Sequence, residues 1–291
     1  MLTKKIQEKI NNLRKEFYQL SVGKEGLLRI ISETEVFEQV YNSNAIENST
    51  LSIEETEKIL LQIDLDRYIS EREIYEAKNL ARVVEYTDIK AKDKDLDIEM
   101  ILFLHKMLLS NINNEIAGRF RKKGEFVRVG NYVAPAPEEI VGGMEKILRE
   151  YKSDANNNIA EKISKFHLSF ESLHPFCDGN GRIGRALNNY LFIREGFVSI
   201  NIRFIDRSKY YEAFKQFDSS GNTEIMEDII SKALINSYYK RLAYLKGLEI
   251  VTMSSYAKQN NLSYPNLINK AKRQSIPAFR EKGVWKIGVE K

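Results

Sequence analysis

Apolar residues recur at intervals of three and four through most of the chain up to about residue 250. The segments IQEKINNLRKEFYQL, LLRIISETEVFEQVY and MEDIISKALINSYYKRLAYL show this spacing clearly. It places apolar side chains on one face of a helix, so the sequence predicts a mainly α-helical body. Ser52 and Glu55 have the spacing of a capping box and predict the start of one of these helices. With 291 residues, the chain is long enough for about two domains.

Two stretches depart from the helical pattern. Residues 125–134, EFVRVGNYVA, place β-branched and aromatic residues around a Gly-Asn pair, which predicts a short β-hairpin. From residue 249 onward, two short helical patterns, SSYAKQNN and YPNLINKAKRQ, precede IPAFREKGVWKIG, which predicts two strands around a Lys-Gly turn. This order is typical of a winged helix-turn-helix, and we expect a small separate domain of that kind at 249–291.

The same C-terminal segment is strongly basic. From Val251 onward it holds eight Lys or Arg residues and two Glu, whereas the whole chain has a net charge of only +4. This asymmetry favours contact with a polyanion such as duplex DNA. The predicted recognition helix offers three residues for DNA phosphates, Lys270, Lys272 and Arg273. A protein-contact module with solvated basic residues remains the alternative.

Composition also bears on the cellular compartment of the protein. Charges interrupt the N-terminal segment every few residues, and no stretch approaches the ~20 apolar residues of a membrane span. The single cysteine, Cys177, cannot form an intrachain disulfide, which fits a reducing compartment. One cysteine and three histidines leave little for a zinc site. We therefore expect a cytoplasmic protein with no membrane partner.

The residues most suited to chemistry lie in HPFCDGNGRIGR, positions 174–185, between two helical patterns. Its glycines let the backbone approach a ligand closely, and the unpaired N–H groups of the following helix would face an anion. Phosphate is the obvious candidate. Arg182 and Arg185, three residues apart, would lie on one side of that helix and add charged donors to the same phosphate chain.

The acid and the histidine of this stretch extend the same hypothesis. Asp178 would repel a phosphate unless a divalent cation lies between them, and Mg²⁺ often bridges one carboxylate and phosphate oxygens. His174, with an ordinary pKa near ~6.5, is a plausible general base beside a phosphate. Together these residues predict attack by a hydroxyl on a nucleotide phosphate. The alternative is a helix-loop-helix turn whose arginines only pair with surface acids.

HPFCDGNGRIGR matches the Fic motif, His-Pro-Phe-x-Asp/Glu-Gly-Asn-Gly-Arg-x-x-Arg, and the chain resembles the Fic family of nucleotidyltransferases over roughly residues 35 to 235. The resemblance implies a mainly α fold, a Fic-type helical bundle with a β-hairpin flap. The segment at 249–291 separately resembles the small winged helix-turn-helix of excisionase-like DNA-binding proteins, most visibly in IPAF and Trp285. The Fic resemblance divides the chain into an N-terminal helical region at 1–95 and a Fic core at 96–248. In this family AMP passes from ATP to a protein Ser, Thr or Tyr hydroxyl, and diphosphate leaves.

The resemblance also implies a role for each motif residue. His174 would take the proton from the target hydroxyl, and Phe176 would anchor the loop in the core. Asp178 would hold Mg²⁺ at the α- and β-phosphates. Arg182 would reach the β-phosphate and Arg185 the γ-phosphate. The anion-binding nest would be formed by Gly179, Asn180 and Gly181.

Two further segments fit the family pattern around the nucleotide. The hairpin at 125–134 resembles the flap that receives an extended target segment, which suits a protein substrate. Its tip would contribute Val129, Gly130, Asn131 and Tyr132. An ordinary surface turn is the alternative. In SKYYEAFKQFD, Tyr210 and Tyr211 are candidate contacts to the base, whereas Asp218 stands where some relatives have an asparagine, which leaves the identity of the base open.

A second motif lies upstream of the core. SNAIEN fits the family's inhibitory pattern, Ser/Thr-x-x-x-Glu-Gly/Asn, with Ser43, Glu47 and Asn48 at the defining positions. The resemblance implies that Glu47 pairs with Arg185 and holds ATP in an unproductive pose. The alternative is that the segment simply ends a helix and that Glu47 is solvated.

The leading hypothesis is therefore a protein adenylyltransferase that uses ATP and Mg²⁺ and is restrained by its own N-terminal helix. One alternative is a DNA-binding regulator whose Fic core senses nucleotide and modifies mainly itself. Another is a Fic enzyme that moves a different phosphate-containing group or removes AMP. The resemblance also raises the possibility of a homodimer.

Overall fold

The computed structural model describes residues 4–129, 132–155 and 158–290. The body of the chain is helical, which confirms the prediction from the apolar spacing. Short 3₁₀ turns lie at Pro137–Glu139 and Phe204–Asp206. The helices of the body are α1 (Lys4–Ser21), α2 (Glu25–Ile46), α3 (Ile53–Leu60), α4 (Glu71–Lys90), α5 (Ile98–Leu109), α6 (Ile140–Ser153), α7 (Ile159–Leu173), α8 (Asn180–Arg194), α9 (Arg207–Ser220) and α10 (Glu224–Leu245).

The start of α3 has the local chemistry that its sequence predicts. Ser52 Oγ accepts a hydrogen bond from Glu55 N at 3.1 Å, and Ser52 N donates to Glu55 Oε2 at 2.8 Å. This capping box satisfies two backbone donors at the helix end and stabilises it by about 1 kcal/mol.

Helix α8 lies at the centre of the body and is buried along almost its whole length. Side chains from α5, α7 and α8 form one continuous core around it. This core includes Leu104, Phe170 and Tyr190, which are all fully buried. Because α8 begins with the arginines of the motif, Arg182 and Arg185 are carried into the interior. A buried guanidinium requires hydrogen-bonding partners, and the neighbouring elements must supply them.

The hairpin predicted between α5 and α6 is present. Strand β1 (Arg128–Val129) pairs in antiparallel register with β2 (Tyr132–Val133). The base of the hairpin is closed by a hydrogen bond from Ala134 N to Val127 O at 3.1 Å. Phe126 and Val133 are 67% and 63% exposed, so this hairpin presents apolar side chains to solvent.

The C-terminal unit contains the two short helices and the hairpin expected from its sequence, and also a strand that the sequence did not reveal. Strand β3 (Glu249–Thr252) precedes the helices and pairs with β5 (Val284–Val289). Strand β4 (Ala278–Glu281) pairs with the other edge of β5, which gives an antiparallel sheet in the order β3-β5-β4. The unit has its own small core, which includes Met253 and Leu267. Its two helices are α11 (Met253–Gln259) and α12 (Tyr264–Lys272).

This unit packs directly on the body. Lys240 Nζ of α10 lies 2.9 Å from Glu281 Oε1, and Lys282 Nζ lies 2.6 Å from Glu57 Oε2 of α3. The backbone N–H of Lys282 donates to the carboxylate of Glu38 on α2. In the described ranges, no helix combines the length and the apolar character that a membrane span requires.

Candidate active site

The motif loop joins α7 to α8 through two residues with left-handed backbone. His174 ends α7 with φ 48°, and its N–H bonds to Phe170 O at 3.0 Å. Gly179 precedes α8 with φ 82°. A Cβ at Gly179 would lie 3.0 Å from Leu108 Cδ2 and 3.1 Å from Leu109 Cδ2. Glycine therefore meets both the conformational and the steric demands of this position.

Asn180 holds the loop in shape. Its Oδ1 accepts from Phe176 N at 2.9 Å, and its Nδ2 donates to Phe176 O at 2.8 Å. Phe176 is 0% exposed, and its ring stacks on His105 with the centroids 3.7 Å apart. The amide of Asn180 is thus committed to the loop, which leaves its backbone N–H as the group available to an anion.

His105 of α5 is a second support for the loop, and sequence reasoning missed it. Its Nδ1 accepts from Gly118 N at 3.0 Å, so the ring proton lies on Nε2, which donates to Asp178 O at 3.0 Å. Burial lowers the pKa of His105 to about 4, which keeps the imidazole neutral. A lone histidine in the apolar run ILFLHKMLL carries no sequence signal for this role.

The imidazole of His174 is set up to accept a proton. Its Nδ1 lies 3.2 Å from Glu171 O, and because a carbonyl can only accept, Nδ1 must carry the hydrogen. Nε2 is then the basic nitrogen. Burial lowers the pKa of His174 below its ordinary value, so the ring is unprotonated at neutral pH.

Asp178 and Arg182 pair with each other and with α4. Arg182 Nη2 lies 3.0 Å from Asp178 Oδ1, and Arg182 Nη1 lies 3.1 Å from Glu76 Oε1. The other Asp178 oxygen accepts from Arg72 Nη2 at 3.0 Å. Sequence reasoning missed both α4 residues. Phosphate would have to exchange with these carboxylates to reach Arg182, which is itself only 5% exposed.

The carboxylate of Asp178 suits a cation that is shared with phosphates. Its side chain is 35% exposed and lies at the start of the nest. Within residues 4–129, 132–155 and 158–290, no group of three His, Cys, Asp or Glu side chains converges on a metal position. Mg²⁺ commonly uses one or two carboxylates and completes its shell with water and substrate phosphates, which this donor set matches.

Arg185 is fully engaged by the end of α2 and by α9. Its Nε donates to Ser43 Oγ at 2.9 Å, and its Nη2 donates to Ser43 O and to Glu47 Oε1, both at 2.8 Å. Its Nη1 donates to Tyr210 OH at 3.3 Å. All three nitrogens of this 7% exposed side chain therefore have partners.

The carboxylate of Glu47 also lies against the first turn of α8. A Cβ at Gly181 would be only 2.1 Å from Glu47 Oε1 and 3.0 Å from Arg185 Nη1. An anionic side chain thus occupies the space over Gly181, where the helix N-terminus favours negative charge. The structure brings together the upstream acid and the last arginine of the motif, 138 residues apart.

The end of α2 is fixed by Asn48 and by a residue that the sequence did not single out. Asn48 has φ 70°, a conformation that glycine and asparagine tolerate, which accounts for the residue types allowed at this place of the pattern. Arg207 Nη2 donates to Asn48 Oδ1 at 2.8 Å, and its Nε donates to Ile46 O at 2.9 Å. Arg207 thus holds the last carbonyl of the helix that positions Glu47.

The two tyrosines proposed for the base have different surroundings. Tyr210 is 1% exposed, and its hydroxyl lies 2.7 Å from His167 Nε2 as well as accepting from Arg185. Tyr211 is half-buried and donates to Ile46 O at 3.3 Å. In this conformation Tyr210 lies behind Arg185 as a support.

Asp218 and the flap meet near the C-terminal end of α7. Asp218 Oδ1 accepts from Ser172 Oγ at 2.9 Å, and Tyr132 OH of the flap donates to Ser172 O at 2.7 Å. Tyr132 thereby ties the second flap strand to the helix that ends at His174. Of the other flap residues predicted to contact nucleotide, Gly130, Asn131 and the side chain of Val129 lie outside the described residues.

The basic residues of α12 are exposed. Lys270 and Lys272 lie in its last turn and Arg273 directly follows. None of the three has a carboxylate within salt-bridge distance among the residues that the structure describes.

Comparisons with known proteins identify the central part of the chain. Residues 95–192 match the model of the Fic/DOC family. The chain is 30% identical over 221 residues to "Protein adenylyltransferase Fic" of Nematostella vectensis, covering 74% of this chain and 51% of that protein. It is also 30% identical over 215 residues to "Protein adenylyltransferase fic-1" of Caenorhabditis elegans, covering 72% and 42%. The chain thus spans about half the length of the curated relatives it matches.

Solved structures agree on the fold. A Fic domain containing signaling protein from Bacteroides thetaiotaomicron superposes with a TM-score of 0.73 at 24% identity, covering 82% of this chain and 97% of that one. Fic-1 from C. elegans superposes with a TM-score of 0.71 at 26% identity, covering 82% and 71%.

Proposed function

Because residues 95–192 form a Fic/DOC-family domain, we propose that this protein transfers AMP from ATP to a Ser, Thr or Tyr hydroxyl of a protein, and that Glu47 restrains the reaction. One observation carries the proposal. A carboxylate lies in the helix N-terminal nest and is bonded to Arg185, at the place where a nucleotide phosphate would bind. The relatives named protein adenylyltransferase support the same chemistry.

His174 supplies the base. The target hydroxyl gives its proton to Nε2 while its oxygen attacks the α-phosphorus of ATP. The bond from that phosphorus to the bridging oxygen breaks, and diphosphate leaves with the bond's electron pair. Since Nδ1 donates to Glu171 O, the imidazolium that forms keeps its orientation. The backbone N–H groups of the nest stabilise the charge that develops on the phosphate oxygens.

Asp178 would hold Mg²⁺ together with phosphate oxygens, and the cation would neutralise charge on the leaving diphosphate. Arg182 would then exchange its contact with Asp178 for the β-phosphate. Glu76 stays close enough to keep this arginine oriented, because it bonds the other terminal nitrogen at 3.1 Å.

The restraint follows because the Glu47 carboxylate and the γ-phosphate of ATP would compete for the same position beside Arg185. Glu47 Oε1 occupies Arg185 Nη2 at 2.8 Å and also fills the space over Gly181. A γ-phosphate needs the same donor, so it can bind productively only when Glu47 moves away. Arg207 and Ser43 hold the helix end in place and therefore favour the restrained state.

A protein target fits the flap. The exposed apolar side chains of Phe126 and Val133 lie beside two short strands that offer backbone groups for strand addition. Tyr132 anchors this hairpin next to the end of α7. A target hydroxyl held on the flap at 125–134 would thus be delivered towards His174.

Intact-mass analysis tests the reaction. The Glu47→Gly protein is incubated with Mg²⁺ and ATP, alone and with cell protein, and Glu47→Gly/His174→Ala serves as the matched control. We expect a gain of one AMP that depends on His174. A gain of one phosphate, the same gain from another nucleotide in preference to ATP, or loss of AMP from a modified protein would instead support the other phosphate chemistries.

DNA binding by the C-terminal unit is a second candidate function, because Lys270, Lys272 and Arg273 are exposed on and beside one helix without acidic partners in the described chain. We expect the full-length protein to bind fluorescent duplex DNA, with affinity that falls steeply between about 50 and 200 mM salt. Lys270→Ala/Lys272→Ala should weaken binding more than Lys258→Ala on the preceding helix. No binding at low salt would favour a protein-contact module.

We also propose a cytoplasmic location and a homodimer. Cys177 is the single cysteine of the sequence and cannot form an intrachain disulfide, which suits a reducing compartment. The dimer follows only from the family resemblance. Light scattering of the full-length protein gives its mass in solution, and a monomer at every concentration would remove that proposal.

A further inference from the structure

Arg121 is a buried arginine with an unusual set of partners. Its side chain is 3% exposed, yet it lies within salt-bridge distance of no carboxylate in the described ranges. Burial has the largest effect on the pKa of Arg121 and lowers it, whereas the nearby Cys177 and Glu125 raise it by less. A desolvated guanidinium costs free energy unless its N–H donors form hydrogen bonds, so the partners of Arg121 determine whether its burial is tolerated.

All of those bonds go to backbone carbonyls, on two separate parts of the active site. On the motif side, Nε donates to His174 O at 2.9 Å and Nη2 reaches Leu173 O at 3.5 Å. On the flap side, Nη1 donates to Glu125 O at 3.0 Å and Nη2 to Pro135 O at 2.9 Å. Glu125 precedes the first flap strand and Pro135 follows the second, so one guanidinium spans both ends of the flap and the histidine.

The backbone of the same residue adds a fifth contact, since Arg121 N donates to Pro175 O at 3.0 Å. Leu173 and His174 lie at the C-terminal end of α7, where carbonyls lack partners within the helix and attract positive charge. The planar fork of an arginine can bond several carbonyls in fixed directions, which a lysine ammonium cannot reproduce.

We propose that Arg121 is a positioning residue that fixes the base of the flap relative to His174, so that a hydroxyl docked on the flap meets Nε2. This inference rests on the proposed AMP transfer, in which the flap carries the target. It adds to the site a residue that lies outside the motif and acts through backbone carbonyls of the flap and the motif loop.

Arg119 provides a matched comparison two residues upstream. It forms a bidentate ion pair with the Glu125 carboxylate, in which both N–O distances are 2.7 Å. Its side chain is 24% exposed. It therefore stabilises the same end of the flap and reaches the motif loop indirectly, since the Glu125 carboxylate also accepts from Cys177 Sγ at 3.5 Å. A general loss of flap structure should affect both arginine variants, whereas loss of positioning should affect only that of Arg121.

The charge of Arg121 gives an independent readout. Burial has the largest effect on the pKa of His174 and lowers it; the Glu171 carbonyl and the carboxylates of Glu47 and Asp178 raise it, and Arg121 lowers it further. Removing the guanidinium should therefore raise the pKa of His174. The acidic limb of the rate profile should then move to higher pH, because the base is protonated over a wider range.

The test uses full-length Glu47→Gly protein as the active parent, with Arg121→Met, Arg121→Lys and Arg119→Met added singly. We expect Arg121→Met to lower kcat by about ten- to a hundredfold, in line with small misplacements of reacting groups, with little change in the KM for ATP. Arg121→Lys should lower kcat similarly but leave the pKa of His174 near that of the parent. Arg119→Met should change neither quantity.

Two measurements remain informative without enzymatic activity. NMR titration gives the pKa of His174, and hydrogen exchange at Ala134 N reports closure of the flap base. Equal kcat for Arg121→Lys and the parent would overturn the positioning role, as would unchanged Ala134 exchange and an unchanged His174 pKa in Arg121→Met. If Arg121→Met fails to fold, Arg121→Lys decides. Absence of AMP transfer by the parent would contradict the proposed function, while exchange and titration still test Arg121.

Discussion

Tyr210→Phe distinguishes a tyrosine that supports Arg185 from one that contacts the nucleotide base. The substitution removes a hydroxyl that lies 2.7 Å from His167 Nε2 and 3.3 Å from Arg185 Nη1. Arg185 Nε and Nη2 keep their bonds to Ser43 and Glu47, so the loss falls on Arg185 Nη1 and on His167, which is 0% exposed. A buried polar atom left without a partner costs about 1 to 3 kcal/mol, and we expect the free energy of unfolding to fall by about 2 kcal/mol.

Urea denaturation of Tyr210→Phe and wild type at neutral pH measures this loss, and calorimetry measures ATP affinity in the Glu47→Gly background. Tyr211→Phe is the matched control, because its half-exposed hydroxyl makes only a 3.3 Å bond to Ile46 O. We expect it to lower the free energy of unfolding by less than about 1 kcal/mol. If Tyr210→Phe unfolds like wild type and binds ATP more weakly, the hydroxyl serves the nucleotide and the support role is wrong.

Other substitutions and conditions test the scaffold of the motif loop. Burial lowers the pKa of His105 from 6.5 to about 4, so the unfolded chain binds the proton first, and His105 alone should lower stability by up to about 3 kcal/mol between pH 6.5 and 4. The lowered pKa values of His167 and His174 act in the same direction, and a flat profile in urea denaturation would contradict neutral burial. Asn180→Ala leaves both backbone groups of Phe176 unpaired, and thermal unfolding should show a loss of about 2 kcal/mol or more. At Gly184 a Cβ would lie 2.4 Å from Glu171 Oε1; Gly184→Ala should lower stability by about 1 to 3 kcal/mol, and an unchanged melting temperature would show that Glu171 moves aside freely.

Local patterns were sufficient to predict the helices, the hairpin at 125–134 and the position of the motif loop between α7 and α8. The loop is predictable because glycines, an acid and arginines adjacent in sequence also act on one small volume. The ends of the ion pair between Glu47 and Arg185 were each marked by a short motif, so the family resemblance connected them across 138 residues.

The supports of the site were not predictable, because each is a single residue on a distant element. His105, Glu76 and Arg207 sit in helices where most histidines, acids and arginines are either core or solvated residues. Their roles depend on which backbone carbonyl or guanidinium the fold brings within 3 Å or so, as with the 3.0 Å bond from His105 to Asp178 O. Strand β3 is only four residues long, and it is recognised as a strand through its pairing with β5, which is distant in sequence.

The role of Arg121 was not predictable from the sequence either. In GRFRKKGEF it is one of several basic residues around a turn, and nothing in the local pattern separates it from Arg119. Only the fold assigns one arginine to a carboxylate and the other to the carbonyls of the flap and His174.

Incorporation of labelled AMP measures the competition at Arg185 directly. Wild type, Glu47→Gly and Glu47→Gly/His174→Ala are compared at the same Mg²⁺ and ATP concentrations. Each ~1.4 kcal/mol by which the Glu47 ion pair opposes phosphate binding corresponds to a factor of ten, and we expect Glu47→Gly to incorporate at least about tenfold more AMP than wild type. The added His174→Ala should abolish that gain. Equal incorporation by wild type and Glu47→Gly would contradict the restraint, and incorporation that survives His174→Ala would contradict the base.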